Sequence, residues 1–444
     1  MTKINILIVT TLETKGGAFK SLKNIVESLK DIKNFNIKIL TQKIKNKYLK
    51  VFGIDSYLSS LKIIKEILKF KPNIIITQLE IAFPTVIIAK IKKIPIINII
   101  RGTSEFCPKY VDIVDYGKSC SGLSSRKKCF KCIENWRSLR VLIGNKQKGW
   151  EYSLASSISN ILYKIRYFIC RFNLYLLNKF SVNLVASYLM LKCISNWVYF
   201  EKVRILNITP ISRHYKDNKY INKENRLIFV MPTDDASYKG LDFILRLIKF
   251  IPKNYYVLIV GGEIPEYKRE WKQDGLMLTG YIYSKERLNI FYQESTITLV
   301  PTFCNESFGR GIIESLENKT PVISSPQCGA NQFFGQKDFL KVIPLKLDLW
   351  VRAIKDIIDN LPIIDDNDVS EIYKQFSLER SRNDFVKIID EVLNISTFKL
   401  YDIFGNDLED FIDLYEIPGK VSIWVEVDNN KDSKEVLMNG KNGK

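Results

Sequence analysis

The stretch from Val300 to Phe334, VPTFCNESFGRGIIESLENKTPVISSPQCGANQFF, places two carboxylates, Glu306 and Glu314, on either side of a Phe-Gly turn. Its pattern predicts a short buried strand over Thr296 to Val300, a loop leaving the carboxyl end of that strand, and a helix over Gly311 to Asn318. Glu306 then lies in the loop, and Glu314 lies about one turn inside the helix. We therefore expect the two carboxylates to face different parts of one ligand.

The turn between the carboxylates is suited to bind phosphate. The start of a helix leaves amide N–H groups unpaired, and Ser307, Phe308 and Gly309 come just before this one. Hydrogen bonds and the helix dipole both attract phosphate oxygens to such a position. The segment therefore predicts a site for a phosphorylated ligand such as a sugar nucleotide.

The sequence ESFGRGIIE from Glu306 to Glu314, followed by TPVIS from Thr320 to Ser324, resembles the E-x7-E signature of glycosyltransferase family 4. The resemblance implies the GT-B fold and retaining transfer of a sugar from a nucleotide diphosphate. It covers about residues 1 to 395, strongly over 226 to 334 and loosely in the first part. The simpler alternative is a surface strand-loop-helix with two solvated glutamates, and the flanking Phe-Gly and TPVIS argue against it.

The resemblance also implies a role for each polar residue. Glu306 contacts the sugar and supports the positive charge that develops at the anomeric carbon, and Glu314 binds the ribose hydroxyls. Lys239, between a predicted strand and a predicted helix, neutralises the leaving diphosphate together with backbone amides. Many family members carry an arginine a few residues before this lysine, but residues 232 to 236 contain none. Arg310 is a further candidate for the phosphate, against the alternative of a solvated charge on a helix.

Two glycine pairs are candidates for the donor side of the site. Gly16 and Gly17 follow the first predicted strand, where the lack of a side chain lets the backbone approach a phosphate or a sugar. Gly261 and Gly262 follow the strand predicted over Tyr256 to Val260. Both pairs resemble glycine-rich turns of the family, although glycines at such positions commonly serve only to make the turn.

The first half of the chain lacks the histidine that family members often carry after the fourth strand. Ile100 is instead followed by Arg101, and the single histidine, His214, lies in the predicted link between domains. Retaining transfer needs no such base if the departing diphosphate accepts the acceptor's proton. Arg101 and Glu105 become candidates for contact with the acceptor or with phosphate.

Four of the eight cysteines fall within 26 residues. Four thiolates could hold one Zn²⁺ tetrahedrally and close a lysine-rich loop that has little apolar content. The loop, over about residues 105 to 135, resembles the cysteine-bearing insertion of some family 4 enzymes. Uncoordinated buried thiols are the alternative. The four candidate ligands of this structural zinc are Cys107, Cys120, Cys129 and Cys132.

Strand-like and helix-like runs alternate from Ile4 onwards, and the alternation restarts after Ser212. Such alternation predicts parallel sheets covered by helices, and 444 residues are too many for one ordinary core. We expect an α/β protein with two Rossmann-like doubly wound domains that face a central cleft. The predicted domains are an acceptor-side domain over 1–210, a nucleotide-sugar domain over 211–395 and a partly frayed extension over 396–444, with a strand at Val421 to Val427.

The net charge of +19 is unevenly distributed. Residues 1 to 200 carry 34 Lys and Arg against 11 Asp and Glu, so the first half is attracted to a polyanion, either nucleic acid or an anionic membrane surface. Tyr152 to Phe180 reads as a basic amphipathic helix that could lie on a membrane, or as a core helix with its apolar stripe turned inwards. The chain lacks an apolar run of membrane-spanning length and a secretory cleavage site. We therefore expect a cytoplasmic protein at the inner face of the membrane.

These features predict a glycosyltransferase that moves a hexose-type unit to a glycan or a lipid-linked acceptor in surface polysaccharide assembly. The scheme needs no catalytic metal. A nucleotide-sugar epimerase shares the architecture, but it would need acid and base groups at the sugar. A nucleic-acid-binding protein would use the basic half and the cysteines, but it would leave the E-x7-E segment unexplained.

Overall fold

The computed structural model describes residues 3–10, 17–41, 60–78, 82–102, 107, 113–115, 118–119, 126–133, 150–194, 203–206, 223–231, 239–261, 274–335, 337–394, 421–423 and 436–438. Two parallel six-stranded sheets organise these residues, one in each half of the chain. Helices cover both sheets, as the alternating sequence pattern predicted.

The first sheet has the strand order β2-β1-β3-β4-β7-β8. Its strands are β1 (Ile4–Thr10), β2 (Phe35–Thr41), β3 (Ile74–Gln78), β4 (Ile96–Ile99), β7 (Val182–Val185) and β8 (Val203–Ile205). A short antiparallel pair, β5 (Ile113–Asp115) and β6 (Lys118–Ser119), lies in the long connection after β4. The helices of this half are α1 (Gly17–Lys30), α2 (Ser60–Phe70), α3 (Ala82–Ile91), α4 (Trp150–Phe180) and α5 (Tyr188–Ile194).

The second sheet has the order β11-β10-β9-β12-β13-β14. Its strands are β9 (Glu224–Met231), β10 (Tyr256–Gly261), β11 (Leu276–Leu278), β12 (Ser295–Val300), β13 (Val322–Ser324) and β14 (Leu340–Val342). The helices are α6 (Leu241–Leu247), α7 (Lys285–Glu294), α8 (Arg310–Glu317), α9 (Leu347–Asp359), α10 (Asp366–Phe376) and α11 (Leu378–Asn394). Near the end of the chain, β15 (Val421–Ile423) pairs with β16 (Val436–Met438) in antiparallel fashion. The remainder of the strand predicted up to Val427 lies outside the described residues.

The two faces of the first sheet support different parts of the molecule, because alternate side chains of a strand point to opposite faces. Ile6 and Ile8 of β1 face α1 and join a core cluster that continues into the second half of the chain. Leu7 and Val9 face a separate cluster built from α2, α3 and α4. Burial on both faces explains why this strand is a nearly continuous apolar run.

The last helix of the second half returns to the first half. α11 contacts α1, and Phe385 of α11 shares a core cluster with Leu22 and Ile25 of α1. Helices α9, α10 and α11 were not predicted from the sequence. Their apolar spacing gives helical periodicity, but it does not reveal which half of the protein they cover.

An aromatic cluster lies behind the loop that follows β12. Phe376 of α10 is fully buried and makes edge-to-face contacts with Phe308 and Phe333, at ring centroid distances of 5.4 and 5.2 Å. Phe334 packs beside it, at 6.2 Å. The cluster fixes the backbone around Phe308, which is the loop that carries Glu306.

The long amphipathic helix predicted over Tyr152 to Phe180 is present as α4. Its inner side chains, such as Tyr167 and Leu174, are buried, whereas Phe168 and Phe172 remain exposed. Within the ranges that the structure describes, no helix is both long enough and apolar enough to cross a membrane.

Replacing Phe376 with alanine tests the aromatic cluster. Large-to-small replacement of a buried aromatic side chain removes apolar contacts and leaves a cavity, so Phe376→Ala should lower the free energy of unfolding by about 3–5 kcal/mol. Urea unfolding followed by circular dichroism measures the change. Phe250→Ala is the matched control, because Phe250 is 54% exposed. Equal effects of the two replacements would contradict the importance of the cluster.

Candidate active site

Lys239 and Glu306 form an ion pair at the carboxyl ends of β9 and β12. The Lys239 Nζ lies 2.6 Å from the Glu306 Oε1. The chain passes very close to the end of β12 at Gly240, which precedes α6, and this brings Lys239 to the loop after β12. Gly240 has a left-handed φ of +96°, and a Cβ there would lie 2.0 Å from the carbonyl oxygen of Pro301. Only glycine allows the chain to run this close to the end of β12.

The ion pair is partly shielded from water, with the Lys239 and Glu306 side chains 17% and 24% exposed. Burial by itself would lower the pKa of Lys239, but the Glu306 carboxylate outweighs burial and raises the pKa above its ordinary value. The ammonium therefore stays charged. Burial, and then the Glu306 carboxylate, raise the pKa of Cys328 well above its usual range, so this thiol stays neutral.

Main-chain hydrogen bonds join the loop of Glu306 to the loop that follows β13. The Glu306 N–H donates to the carbonyl of Gln327 at 2.8 Å, and the Gly329 N–H donates to the carbonyl of Glu306 at 3.0 Å. Ser325 adds a side-chain hydrogen bond from its Oγ to the carbonyl of Thr302, at 2.7 Å. Because both ends of the loop are held, Glu306 has a fixed position rather than a mobile one.

The turn between Glu306 and α8 presents backbone donors. Among the described residues, no backbone carbonyl accepts a hydrogen bond from the N–H groups of Ser307, Phe308 or Gly309. Gly309 has a φ of +88° and directly precedes α8, so these amides lie at the positive end of the helix dipole. The side chain of Phe308 is only 2% exposed, so the contribution of this residue to a ligand comes from its main chain.

Glu314 lies on α8 and is already paired. Arg310 Nη2 lies 3.1 Å from Glu314 Oε1, and the two side chains are 22% and 17% exposed. The fully buried Tyr292 has a pKa raised well above its usual range, by burial first and then by the Glu314 carboxylate. Arg310 therefore holds the orientation of Glu314, which differs from the solvated helix charge considered from the sequence.

Glu317, one turn after Glu314, is a titrating group that was not predicted from the sequence. Burial raises the pKa of Glu317 to about 7. The positive charge of Lys285 opposes this shift, and the negative charge of Glu314 adds to it. Its Oε2 atom is buried and has no hydrogen-bond partner among the described residues. The sequence gives no sign of this, because burial of one side of α8 depends on α7.

Arg101 lies at the carboxyl edge of the first sheet, beside two polar residues that the sequence analysis did not single out. With the Gln78 amide oriented to satisfy both neighbours, its oxygen accepts hydrogen bonds from Arg101 Nε at 3.2 Å and from Nη2 at 3.3 Å. The amide nitrogen then donates to Thr10 Oγ1 at 3.3 Å. The carboxyl ends of β1, β3 and β4 thus form one polar patch.

The first half touches the loops of the second half at Gly329. A Cβ on Gly329 would lie 2.4 Å from Ser187 Oγ and 2.4 Å from the carbonyl oxygen of Ser307. Next to this contact, the Tyr188 N–H donates to Gln332 Oε1 at 2.7 Å. The carboxyl edges of the two sheets therefore meet at the turn of Ser307 to Gly309.

The remaining predicted residues are only partly described. Gly17 begins α1, and Gly261 ends β10 with its N–H donating to the carbonyl of Gly280 at 2.9 Å. Among the described residues, which include Cys107, Cys129 and Cys132, no three His, Cys, Asp or Glu side chains are grouped so that they could hold a metal ion. The four-cysteine zinc site stays a prediction, because its fourth member is not described. The predicted residues outside the described ranges are Gly16, Glu105, Cys120, His214 and Gly262.

Solved structures of glycosyltransferases share this architecture. Sucrose-phosphate synthase from Thermosynechococcus elongatus is 13% identical, with a TM-score of 0.60 over 88% of this chain and 99% of its own. Anabaena Alr3699/HepE in complex with UDP and glucose is 12% identical, with a TM-score of 0.58 over 87% of this chain and 100% of its own. The apo form of the lipopolysaccharide outer core galactosyltransferase WaaB is 11% identical, with a TM-score of 0.54 over 87% and 99%. At these identities the similarity establishes the fold.

Residues 224–360 match the family model described as glycosyl transferases group 1. The chain has the GT-B fold, and its second half carries a glycosyl transferases group 1 domain. The matched residues run from the start of β9 to the end of α9 and include Lys239, Glu306 and Glu314. A comparison with curated proteins gives no significant match.

Replacing Gly240 with alanine tests whether its close approach to Pro301 positions Lys239. Gly240→Ala adds a left-handed alanine and a collision with Pro301, which together should lower the free energy of unfolding by about 3–5 kcal/mol. Gly280→Ala is the matched control, because its φ is +66° but a Cβ there meets no atom within 4 Å. The control should cost about 1–2 kcal/mol. Urea denaturation measures both, and equal losses would show that Pro301 does not restrict this position.

Glu317 should make stability depend on pH. Since its pKa is about 7 in the folded protein and 4.5 ordinarily, the folded state binds more protons than the unfolded chain between these values. Stability therefore falls as the pH rises through that window. Glu317→Gln removes the titration and should raise the free energy of unfolding by about 1–3 kcal/mol near pH 8 but only slightly near pH 4.5. Glu371→Gln, at an exposed position on α10, is the control. A gain for Glu317→Gln that does not vary with pH would contradict the assignment.

Proposed function

We propose that this glycosyltransferase moves a hexose-type unit from a nucleotide diphosphate sugar to an acceptor hydroxyl, with retention of anomeric configuration. The observation that carries the proposal is the Lys239–Glu306 ion pair, which lies beside three backbone amides without a carbonyl partner among the described residues. Positive charge and free amides suit a diphosphate, and an adjacent carboxylate suits a sugar whose anomeric carbon becomes cationic.

In this scheme the diphosphate binds between Lys239 and the amides of Ser307 to Gly309. The bond between the anomeric carbon and the phosphate oxygen breaks while the acceptor oxygen bonds to the same carbon. The departing diphosphate takes the proton of the acceptor hydroxyl, and the Lys239 ammonium and the amides stabilise its negative charge. Because these groups supply the positive charge, the scheme requires no catalytic metal.

Glu306 and Glu314 then have separate tasks. Glu306, held by main-chain hydrogen bonds to the loop after β13, supports the positive charge on the sugar ring. Glu314 accepts hydrogen bonds from the ribose hydroxyls, with Arg310 keeping its carboxylate in position. In this proposal the two carboxylates bind the two ends of one donor.

The acceptor in this proposal is a glycan or a lipid-linked saccharide used in surface polysaccharide assembly, at an anionic membrane. The strongly basic first half supports it, as does the polar patch of Arg101, Gln78 and Thr10 at the edge of the first sheet. WaaB, which shares the fold, acts on the outer core of lipopolysaccharide. In this proposal Arg101 contacts a negatively charged acceptor.

The donor is identified by a thermal-shift screen against uridine, guanosine and adenosine diphosphate sugars. One sugar nucleotide should raise the melting temperature and be hydrolysed slowly in the absence of acceptor. Nuclear magnetic resonance of the transferred sugar then gives the anomeric configuration, and an inverted product would contradict retention. Release of an epimerised nucleotide sugar would favour the epimerase alternative, and tight binding of nucleic acid with no response to any donor would favour the nucleic-acid alternative.

Replacements at the ion pair test the assigned roles. Glu306→Gln and Lys239→Ala should each lower kcat by about 10²–10³-fold, because each removes charge stabilisation from the transition state. Exposed residues of the same half serve as controls, and Glu371→Gln and Lys249→Ala should leave kcat unchanged. Unchanged turnover in Glu306→Gln or in Lys239→Ala would refute the role of that residue.

A further inference from the structure

The outer face of α4 carries an unusual row of exposed apolar side chains. The members follow one another at intervals of four, three, four and three residues, which places them on one side of the helix. They extend over about 21 Å, since each residue of a helix rises about 1.5 Å. The members and their exposed fractions are Ile161 (58%), Ile165 (45%), Phe168 (53%), Phe172 (47%) and Tyr175 (55%).

The core role of α4 is fulfilled by its other face. Tyr167, Cys170 and Leu174 are at most 4% exposed, and Tyr167 and Leu174 share a core cluster with Val185 and Val203 of the first sheet. The inward stripe that the sequence allowed therefore exists, but it does not account for the outer row. An exposed apolar row of this length on one helix marks an interaction surface.

Two neighbouring helices continue the apolar surface. α2 contacts α3, and α3 contacts α4, so the three helices form one layer on the first sheet. Leu61 and Leu68 of α2 are 76% and 52% exposed, and Ile87 and Ile91 of α3 are 38% and 72% exposed. We call the outer face of these three helices the α2–α4 face.

Lysines surround the apolar side chains of the α2–α4 face. The only carboxylate among residues 61–70, 85–93 and 161–180 is Glu66, which is paired with Lys38. Exposed apolar side chains with a cationic border are the pattern of surfaces that lie in the interface of an anionic bilayer. The exposed lysines are Lys62, Lys65, Lys69, Lys90, Lys92, Lys93 and Lys179.

We propose that the α2–α4 face docks on an anionic lipid bilayer, with the apolar row of α4 inserted among the lipids and the lysines on their headgroups. A second copy of the chain is disfavoured, because two such faces would bring lysines against lysines. A nucleic acid would engage the lysines but leave the aliphatic side chains of Leu61, Ile91 and Ile161 in water. The bilayer is the occupant that matches both the charge and the apolar area.

Docking in this way leaves the contact between the two halves undisturbed. Helices α2, α3 and α4 cover the side of the first sheet that carries Leu7 and Val9, and the α2–α4 face is their outer surface. The second half of the chain packs on the opposite side of the sheet, which carries Ile6 and Ile8. The bilayer therefore does not compete with the contacts that hold the two halves together. This inference builds on the proposed acceptor at a membrane and specifies which face of the enzyme meets that membrane.

Flotation with lipid vesicles tests the proposal on the full-length protein. Vesicles of phosphatidylcholine with about one third phosphatidylglycerol should bind the protein. Vesicles of phosphatidylcholine alone should bind it at least tenfold less, and added salt should weaken its binding to the anionic vesicles. The double variant Phe168→Glu, Phe172→Glu should bind the anionic vesicles at least tenfold less than the parent. The matched control is Leu361→Glu, Ile363→Glu in the second half, where the side chains are 41% and 88% exposed; it should bind like the parent.

A second set of variants tests the charge. Replacing Lys62, Lys65 and Lys69 with glutamine should lower binding several-fold. The matched triple replacement of exposed lysines in the second half, at Lys346, Lys355 and Lys374, should not lower it. No binding of the parent to anionic vesicles would overturn the proposal. A concentration-dependent dimer in sedimentation would also overturn the proposal if the double variant Phe168→Glu, Phe172→Glu converted it to a monomer.

Donor binding is measured on the same samples by thermal shift with the sugar nucleotide that stabilises the parent. Every variant should keep this shift, which shows that a loss of vesicle binding is not unfolding. Vesicle binding without any donor response would overturn the proposed function and leave the docking surface standing. A donor response without vesicle binding would overturn the docking surface and leave the proposed function standing.

Discussion

The ion pair between Lys239 and Glu306 is the interaction around which the second half of the molecule is organised. It joins the loop after β9 to the loop after β12, two neighbouring strands of the second sheet, at the edge where parallel strands present their carboxyl ends. Gly240 makes the pair possible because its left-handed backbone passes directly over Pro301. A charged ammonium is thereby kept in a half-buried position without losing its proton, which is the state required to bind phosphate.

The loop of Glu306 is supported from three directions. Main-chain hydrogen bonds hold it to the loop after β13, the aromatic cluster around Phe376 supports it from the core, and Ser187 of the first half reaches it through Gly329. The position of the carboxylate is thus coupled to the contact between the two halves. Rigid support of this kind favours a preorganised site, in which charged groups need little reorganisation during the reaction.

Much of the architecture could be predicted because parallel strands buried on both faces are continuous apolar runs. The strand expected over Thr296 to Val300 is Ser295–Val300, and the helix expected over Gly311 to Asn318 is Arg310–Glu317. The return of α11 to the first half could not be predicted in this way. Helical periodicity shows that a face is apolar, but it does not show which distant surface covers that face.

The sequence by itself determined two doubly wound sheets and the order of the groups around the E-x7-E segment, because strand periodicity, turn residues and helix starts are local properties. Only the tertiary structure decided that Arg310 pairs with Glu314, that Glu317 is buried against α7, and that Gln78 and Thr10 accompany Arg101. It also decided that α4 buries one apolar face and exposes another. Each of these depends on the proximity of residues from different elements, and spacing along a chain does not specify that proximity.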